Sequence, residues 1–463
     1  MGKLFNHMKS IVKIEYIILS FLILLGFVVR LYKVDNPVAD WHSWRQADTA
    51  AVSRNYLNDG INIFYPIYDD ISSIQSGKDN PTGIRMVELP IYNVIHTLLF
   101  KYSVVFTLEI WGRVLTAAIS LITSVFVFLL AKKHYSVKVG LLAAFFFIFL
   151  PFNIYFSRVI LPDPLGVLFA VSGLYYFGIN NFISAILFAL ALLQKPYLAV
   201  YILPLIPELL KREKIKQNLA FIFSISIPFM LWRFWTAQHP EGIPFYKWAF
   251  NGDMIRFHPS WFKWLFGERV GILILGTWGL IPYALGLIKN RKNNFNLLLN
   301  LAMLAYLVIV ATANVRHDYY QIMIIPAIAI SLALGVVYMW KRSKILLVIT
   351  MITMFLISWD RIKPFYQVNH PELIEIGNTV DQLLPKEAKI IIPYNGDTAF
   401  LYQTKRKGWP AVDSSTENMI ERGADYYVSI DLNSADTLNF SKRFETYLKT
   451  DKFIILDLSK QTN

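Results

Sequence analysis

Apolar residues recur along this chain in runs of about 20, the length a helix needs to cross a bilayer, and polar residues gather between the runs. About eleven such windows can be drawn. They cover 14–32, 111–131, 139–156, 163–179, 182–194, 197–210, 218–235, 270–288, 295–313, 320–340 and 344–359. The window 182–194 is short and could form one broken helix with the next. A backbone in lipid must satisfy its own hydrogen bonds, so the runs are predicted to be helices. The pattern changes in two places. Segment 33–110 is long, acidic on balance and rich in Asp, Trp, Tyr, Asn and Pro. From 361 to 463 the composition turns ordinary and soluble. There the periodicity predicts helices over Glu372–Leu384, Thr398–Thr404 and Phe444–Lys449, and strands over Lys389–Pro393, Tyr426–Ile430 and Phe453–Leu458. The expected fold is an all-α polytopic membrane protein with a small C-terminal α/β domain. Residues 1–360 form the membrane part, which includes the 33–110 outer loop, and 361–463 form the soluble domain.

Composition agrees. Of 463 residues, 55% are hydrophobic and 17% charged, against about 25% charged in soluble proteins. A disordered chain, a fibrous protein and an ordinary cytosolic enzyme are excluded. The net charge of +13 would suggest nucleic acid in a soluble domain. Here the basic residues cluster in short loops: Lys3, Lys9 and Lys13; Lys132, Lys133 and Lys138; Lys211, Arg212, Lys214 and Lys216; Lys289, Arg291 and Lys292; Lys341, Arg342 and Lys344. Cytoplasmic loops collect Lys and Arg, and an odd number of spans puts all five clusters on that side. The N-terminus is then expected in the cytoplasm, with segment 33–110 and the C-terminal domain outside. No small-residue cleavage site follows Tyr16–Val29, so this run is expected to be a retained span. The chain has no cysteine, which excludes disulfides, thiolate metal sites and a Cys nucleophile. No P-loop is present, which argues against an ATP-driven transporter.

The candidate chemistry lies in the outer turns. Arg45 to Tyr56 reads as a helix ending at Asp59-Gly60, with Ala51, Val52 and Tyr56 free to pack on the membrane surface. Arg45 and Asp48 are three apart and share a face. Asp40, His42, Arg45 and Asp48 would crowd the mouth of the bundle, where a carboxylate can act as general base; a salt-bridged interfacial helix is the plainer alternative. Glu88 precedes an amphipathic stretch reaching Tyr102, and could instead complement a helix start. Arg158 and Asp163 flank one outer turn, where Asp163-Pro164 could simply open a helix. Lys195 at the next turn is placed for a phosphate or for snorkelling to the interface. Arg316, His317, Tyr319 and Tyr320 offer donors and aromatic faces to an anionic head group, or form an aromatic belt. The aromatic loop from Gly242 to Gly267 could be a lid or an anchor. No cluster has metal-ligand spacing, so no obligatory metal and no cofactor are expected.

At these residues the chain resembles the GT-C superfamily of polyprenyl-phosphate-sugar-dependent glycosyltransferases. It is most similar to bacterial relatives of protein O-mannosyltransferase and lipid A aminoarabinose transferase. The resemblance covers about 10–345: a span, a large outer loop with a helix, Glu88-Leu89-Pro90-Ile91-Tyr92, Arg158 with Asp163, Lys195-Pro196, and His317-Asp318-Tyr319-Tyr320. One departure stands out. Aligning Ser53-Arg54-Asn55 puts Arg45-Gln46 where relatives carry Asp-Glu, so the catalytic Asp is missing from its usual position. Asp48, one turn on, and Asp40, ahead of the helix, are the candidates to replace it. The resemblance implies inverting transfer of a sugar from an undecaprenyl-phosphate-type donor to an envelope glycan, lipid or protein acceptor outside the bacterial inner membrane. Asp48 or Asp40 would deprotonate the acceptor. Arg158, Lys195, Arg316 and His317, with Tyr319 and Tyr320, would hold the donor phosphate. His42, Arg45, Glu88 and Asp163 would orient the acceptor or the basic residues. A lipid-linked sugar flippase and a non-catalytic assembly subunit for envelope polysaccharide are the alternatives.

Overall fold

The computed structural model describes residues 13–289 and 293–462. The chain is mostly helical, with one small sheet near its C-terminus. Among the described residues, four stretches are long and apolar enough to cross a membrane: Leu108–His134, Arg212–Thr236, Asp318–Trp340 and Lys344–Tyr366. Val137–Phe149, Asn181–Gln194, Pro196–Leu209 and Phe295–Ile309 are shorter apolar helices. The other predicted windows also fall on helical segments, the first on Ile14–Arg30.

Local chemistry explains where these helices begin. The side chains of Thr107, Ser136, Asn180 and Ser343 each accept a hydrogen bond from the backbone N–H three residues on, satisfying donors that a helix start leaves unpaired. Proline explains the breaks. A residue before proline is kept out of the helical region, so Leu150 (ψ 123°) and Lys195 (ψ 120°) interrupt their helices. The window 139–156 is thereby split into Val137–Phe149 and Pro151–Phe156. After Lys195 the chain continues as a 3₁₀ helix, Pro196–Leu205.

The segment Asp318–Trp340 is the centre of the bundle, 83% buried, whereas Lys344–Tyr366 and Arg212–Thr236 are only 28% and 22% buried. These peripheral helices turn Met230, Leu231, Phe234, Ile345 and Leu356 outward. An apolar surface of that extent marks a protein whose surroundings are lipid. At the closest helix contact, a Cβ on Gly335 would come within 1.7 Å of the Pro282 carbonyl oxygen, and one on Gly286 within 1.9 Å of that of Ser331.

The bundle is polar along its length. At one end Lys132 pairs with Glu15 at 2.6 Å, and His134 stacks on Phe295. There Lys138 and Lys344 lie over Trp340, and Lys289 and Arg342 over Tyr338. Members of three basic clusters therefore share one end; Lys3, Lys9, Arg291 and Lys292 lie outside the described residues. The other end carries the long loop and the C-terminal domain.

The domain's sheet has five strands: β1 (Ile390–Ile391), β2 (Gly408–Trp409), β3 (Tyr426–Ser429), β4 (Phe444–Lys449) and β5 (Ile454–Gln461), in the order β2-β1-β3-β5-β4. β1 runs parallel to β2 and β3, and β5 antiparallel to β3 and β4. The segment expected as helix Phe444–Lys449 is thus a strand. Its alternating Phe, Thr and Leu suit a sheet edge, and β5 supplies the partner that a single-segment reading cannot see. β2 was not anticipated. Its outer edge is covered by the long loop: the Ile71 N–H donates to the Gly408 carbonyl at 2.9 Å and the Gly408 N–H to the Asp69 carbonyl at 3.0 Å. Loop and domain are therefore joined through backbone pairing.

Candidate functional site

The first-loop helix runs Ser43–Asp59, entered through His42 in a left-handed conformation (φ 56°) and stopped by Gly60 (φ 89°). It is not interfacial. Ala51, Val52 and Tyr56 are buried, packed between helix Ile91–Tyr102 and the domain's helix Ala399–Thr404. The apolar stripe expected to face lipid faces protein instead. Arg45 and Asp48 do not pair with each other either. Arg45 Nη2 meets Glu88 Oε1 at 2.7 Å, and Asp48 Oδ2 meets Arg85 Nη2 at 2.7 Å.

These two crossed pairs border a cavity of about 600 Å³. Its basic residues are Arg45, Arg85, Lys195 and Arg233, and its aromatic walls include Trp44, Tyr197, Phe245, Trp248, Tyr319 and Tyr320. Asp48 and Glu88 line a water-sized recess that shares Arg45 and Arg85 with the cavity. The break at Lys195 turns its ammonium toward two carboxylates, Asp163 Oδ1 at 3.6 Å and Glu88 Oε2 at 3.9 Å. Asp163 is the first residue of helix Asp163–Tyr176 but accepts no capping hydrogen bond: Pro162 holds the cap position, and neither carboxylate oxygen has a hydrogen-bond partner. Burial alone would raise Glu88, yet Arg45, Lys195 and Arg85 outweigh it and hold its carboxyl below the ordinary value. Burial likewise opposes the charge on Arg45, but Glu88 and Asp163 hold its pKa above the ordinary value. Glu88 and Arg45 thus stay ionised beside a largely apolar wall.

Asp40 is elsewhere. Its Oδ2 meets Arg158 Nη2 at 2.9 Å and Arg113 Nη2 at 3.4 Å, and its Oδ1 accepts from Gln46 Nε2 at 2.6 Å. All three charged side chains are wholly buried. Arg158 also donates to the Lys33 carbonyl at 2.5 Å and lies over the Tyr366 ring. Neither Asp40 nor Arg158 is on the cavity wall.

The residues around His317 form a third group. His317 is extended (φ −128°) between helices Ala311–Arg316 and Asp318–Ile324, and its ring lies among His42, Trp44, Trp248 and Tyr319. Burial, with His42 beside it, brings its pKa down to about 4, so the ring is neutral at pH 7. Asp318 accepts a hydrogen bond from Trp41 Nε1 at 2.8 Å and is ion-paired with Arg269, whose Nε lies 2.7 Å away, with His42 Nε2 at 3.7 Å. Arg316 points away, half-exposed, to an ion pair with Asp253.

The structure therefore brings Arg45, Asp48, Glu88, Asp163, Lys195, Tyr319 and Tyr320 to one mouth. It leaves Asp40, Arg158 and Arg316 outside. Sequence reasoning passed over Arg85, Arg233, Arg113 and Arg269. Arg113 and Arg233 carried a usable signal, a lone charge inside an apolar run. Thr398, whose Oγ1 lies 2.6 Å from Asp48 Oδ1, carried none.

No family model and no curated protein matches the chain. Solved structures do. The chain is similar to ArnT from Cupriavidus metallidurans in the apo state, with a TM-score of 0.68, 12% identity, and coverage of 95% of this chain and 97% of that one. The same protein bound to undecaprenyl phosphate gives a TM-score of 0.64 at 11% identity, with coverage of 95% and 97%. The oligosaccharyltransferase AglB from Archaeoglobus fulgidus, in complex with an inhibitory peptide and a dolichol-phosphate, gives 0.57 at 11% identity, covering 95% of this chain and 74% of that one. The chain therefore shares the fold of these structures over nearly its whole length.

Proposed function

We propose that this protein is an integral-membrane glycosyltransferase that moves a sugar from a polyprenyl-phosphate donor, of the undecaprenyl-phosphate type, to a glycan, lipid or protein acceptor at the outer face of a bacterial inner membrane. The observation that carries the reading is the cavity, where four basic side chains project from aromatic and apolar walls beside buried carboxylates. Such a wall suits an isoprenoid chain, and such cations suit its phosphate. Undecaprenyl phosphate bound to ArnT and dolichol-phosphate bound to AglB support the same class of donor.

In this reading Lys195, Arg85 and Arg233 hold the donor phosphate. They stabilise the charge it gains as the bond from the sugar's anomeric carbon to the phosphate oxygen breaks. Asp48 takes the acceptor's proton as the acceptor atom bonds to the anomeric carbon from the opposite side, with inversion. Glu88 and Asp163 hold Arg45 and Lys195 in place. Arg158 is already committed to Asp40, and Arg316 to Asp253, so neither is given a phosphate role. Asp40 is assigned to the scaffold.

The test is transfer of labelled sugar from undecaprenyl-phosphate-linked donors by the purified protein. Orientation has its own test, because the chain lacks cysteine. Cysteines introduced at Ser136 and Ser343 should react only from the cytoplasmic side, and one at Ser434 only from outside; a Ser343 label reacting from outside would refute the orientation.

A further inference from the structure

We propose that Thr398 is a positioning residue for Asp48, so that the C-terminal domain completes the site instead of merely covering it. The inference rests on the reading of Asp48 as the base. The Thr398 hydroxyl lies 2.6 Å from Asp48 Oδ1 and 3.2 Å from the Trp44 carbonyl oxygen. Both side chains are buried, at 4% and 1% exposure. The two carboxylate oxygens therefore face separate parts of the chain: Oδ2 lies 2.7 Å from Arg85 Nη2 of the outer loop in an ion pair without a hydrogen bond, and Oδ1 accepts from Thr398 of the domain. A carboxylate held by an ion pair alone can still rotate about its last bond; the directional hydrogen bond at Oδ1 fixes it and leaves an Oδ2 lone pair presented, as catalysis requires. Without the hydroxyl, Oδ1 would be buried with no donor.

The helix that carries the hydroxyl is itself anchored on its C-terminal side. The Tyr402 hydroxyl donates to Glu109 at 2.7 Å, Arg54 donates to the Tyr402 carbonyl at 3.0 Å, and Gln403 donates to the Val38 carbonyl at 3.0 Å. Beyond them Gly408 pairs with the backbone of Asp69 and Ile71. A Cβ at Gly408 would lie 1.9 Å from the Ile390 carbonyl oxygen, so only glycine lets β2 pass this close to β1. Three hydrogen bonds and a two-bond strand contact thus fix one threonine against one aspartate.

The experiment compares Thr398→Val, Thr398→Ser, Asp48→Asn and the double variant Thr398→Val/Asp48→Asn in full-length protein. It measures sugar transfer from the undecaprenyl-phosphate-linked donor that the wild type uses, and binding of undecaprenyl phosphate. Thr398→Val should lower kcat about 10-fold or more, the scale of one hydrogen bond to a charged group, with undecaprenyl phosphate binding within about twofold of wild type. Thr398→Ser should restore kcat to within about threefold, and Thr398→Val should cost nothing further in the Asp48→Asn background. Should Thr398→Val prove unstable, Thr398→Ala takes its place in the single and double variants, with the same outcomes expected. Wild-type kcat in Thr398→Val, equal losses in the serine and valine variants, or an additive loss in the double variant would overturn the positioning role. Wild-type turnover in Asp48→Asn would instead overturn the reading of the base.

Discussion

Asp40 and Asp48 flank the start of one helix, are both buried and both contact arginine, yet they have different surroundings. Asp40 is enclosed by Arg113, Arg158 and Gln46, with no face toward the cavity. Asp48 meets one arginine that is itself part of the cavity wall, and its recess opens beside that wall. A carboxylate surrounded by two cations neutralises buried charge and ties elements together. One that shares a single cation with a substrate cavity can exchange that cation for a substrate group. Burial and ion pairing alone therefore do not distinguish a structural aspartate from a catalytic one; what shares its counter-ion does.

The sharpest way to break this comparison is to neutralise each aspartate. Asp48→Asn should lower turnover by about 10²–10⁴-fold, the usual contribution of a positioned base, with thermal stability and undecaprenyl phosphate binding preserved. Asp40→Asn should instead destabilise the protein by about 3–5 kcal/mol, because it leaves two buried guanidinium groups uncompensated, and a melting curve would register it. A stable but inactive Asp40→Asn alongside an active Asp48→Asn would exchange the two roles.

Much of this was legible in the sequence. The apolar windows located the helices, because lipid forces each span to satisfy its own backbone. Asp163 and Lys195 were readable as charged residues at span ends, and Asp48 and Glu88 as carboxylates of the long outer loop. Their partners were not. Arg45 and Asp48 share a helix face by spacing, yet each is paired across the fold, with Glu88 and Arg85. Asp40 precedes the helix in what reads as a loop, and Arg113 and Arg158, which hold it, come from distant segments. Thr398 lies 350 residues from Asp48, and a lone threonine in a soluble segment has no local pattern to distinguish it. The strand Phe444–Lys449 was missed for the same reason, since a sheet edge is defined by its neighbour.

A smaller effect should separate the basic residues. Replacing Lys195, Arg85 or Arg233 by Met should weaken undecaprenyl phosphate binding about 10–100-fold, since each charge-assisted hydrogen bond is worth about 1.5–3 kcal/mol. Arg316→Gln, which loses an exposed ion pair and a contact over the Trp248 ring, should bind as wild type does. Equal losses in all four would return Arg316 to the site.

The smallest effect concerns the junction between loop and domain. Burial pushes the Asp70 carboxyl up to about 6, against hydrogen bonds from Ser72, and burial also raises Asp397 to about 6. A carboxyl raised in the folded state binds its proton more tightly there than in the unfolded chain. Stability at this junction should therefore fall as pH rises from about 4 to about 6 and level off above. Amide exchange at Ile71 and Gly408, corrected for its intrinsic pH dependence, should show greater protection at pH 5 than at pH 7.5, and Asp70→Asn should reduce the difference. Equal protection at both pH values in the wild type would remove these carboxyls from the account.

The central claim is that the cavity hosts sugar transfer, with Asp48 taking the proton. It is tested most directly in sealed vesicles that contain the purified protein, a labelled undecaprenyl-phosphate sugar and an acceptor supplied at the outer face. The account predicts that label passes to the acceptor as undecaprenyl phosphate is released, and that Asp48→Asn abolishes both while still binding undecaprenyl phosphate. Label that crosses the bilayer still attached to its lipid, or transfer at the wild-type rate by Asp48→Asn, would contradict it.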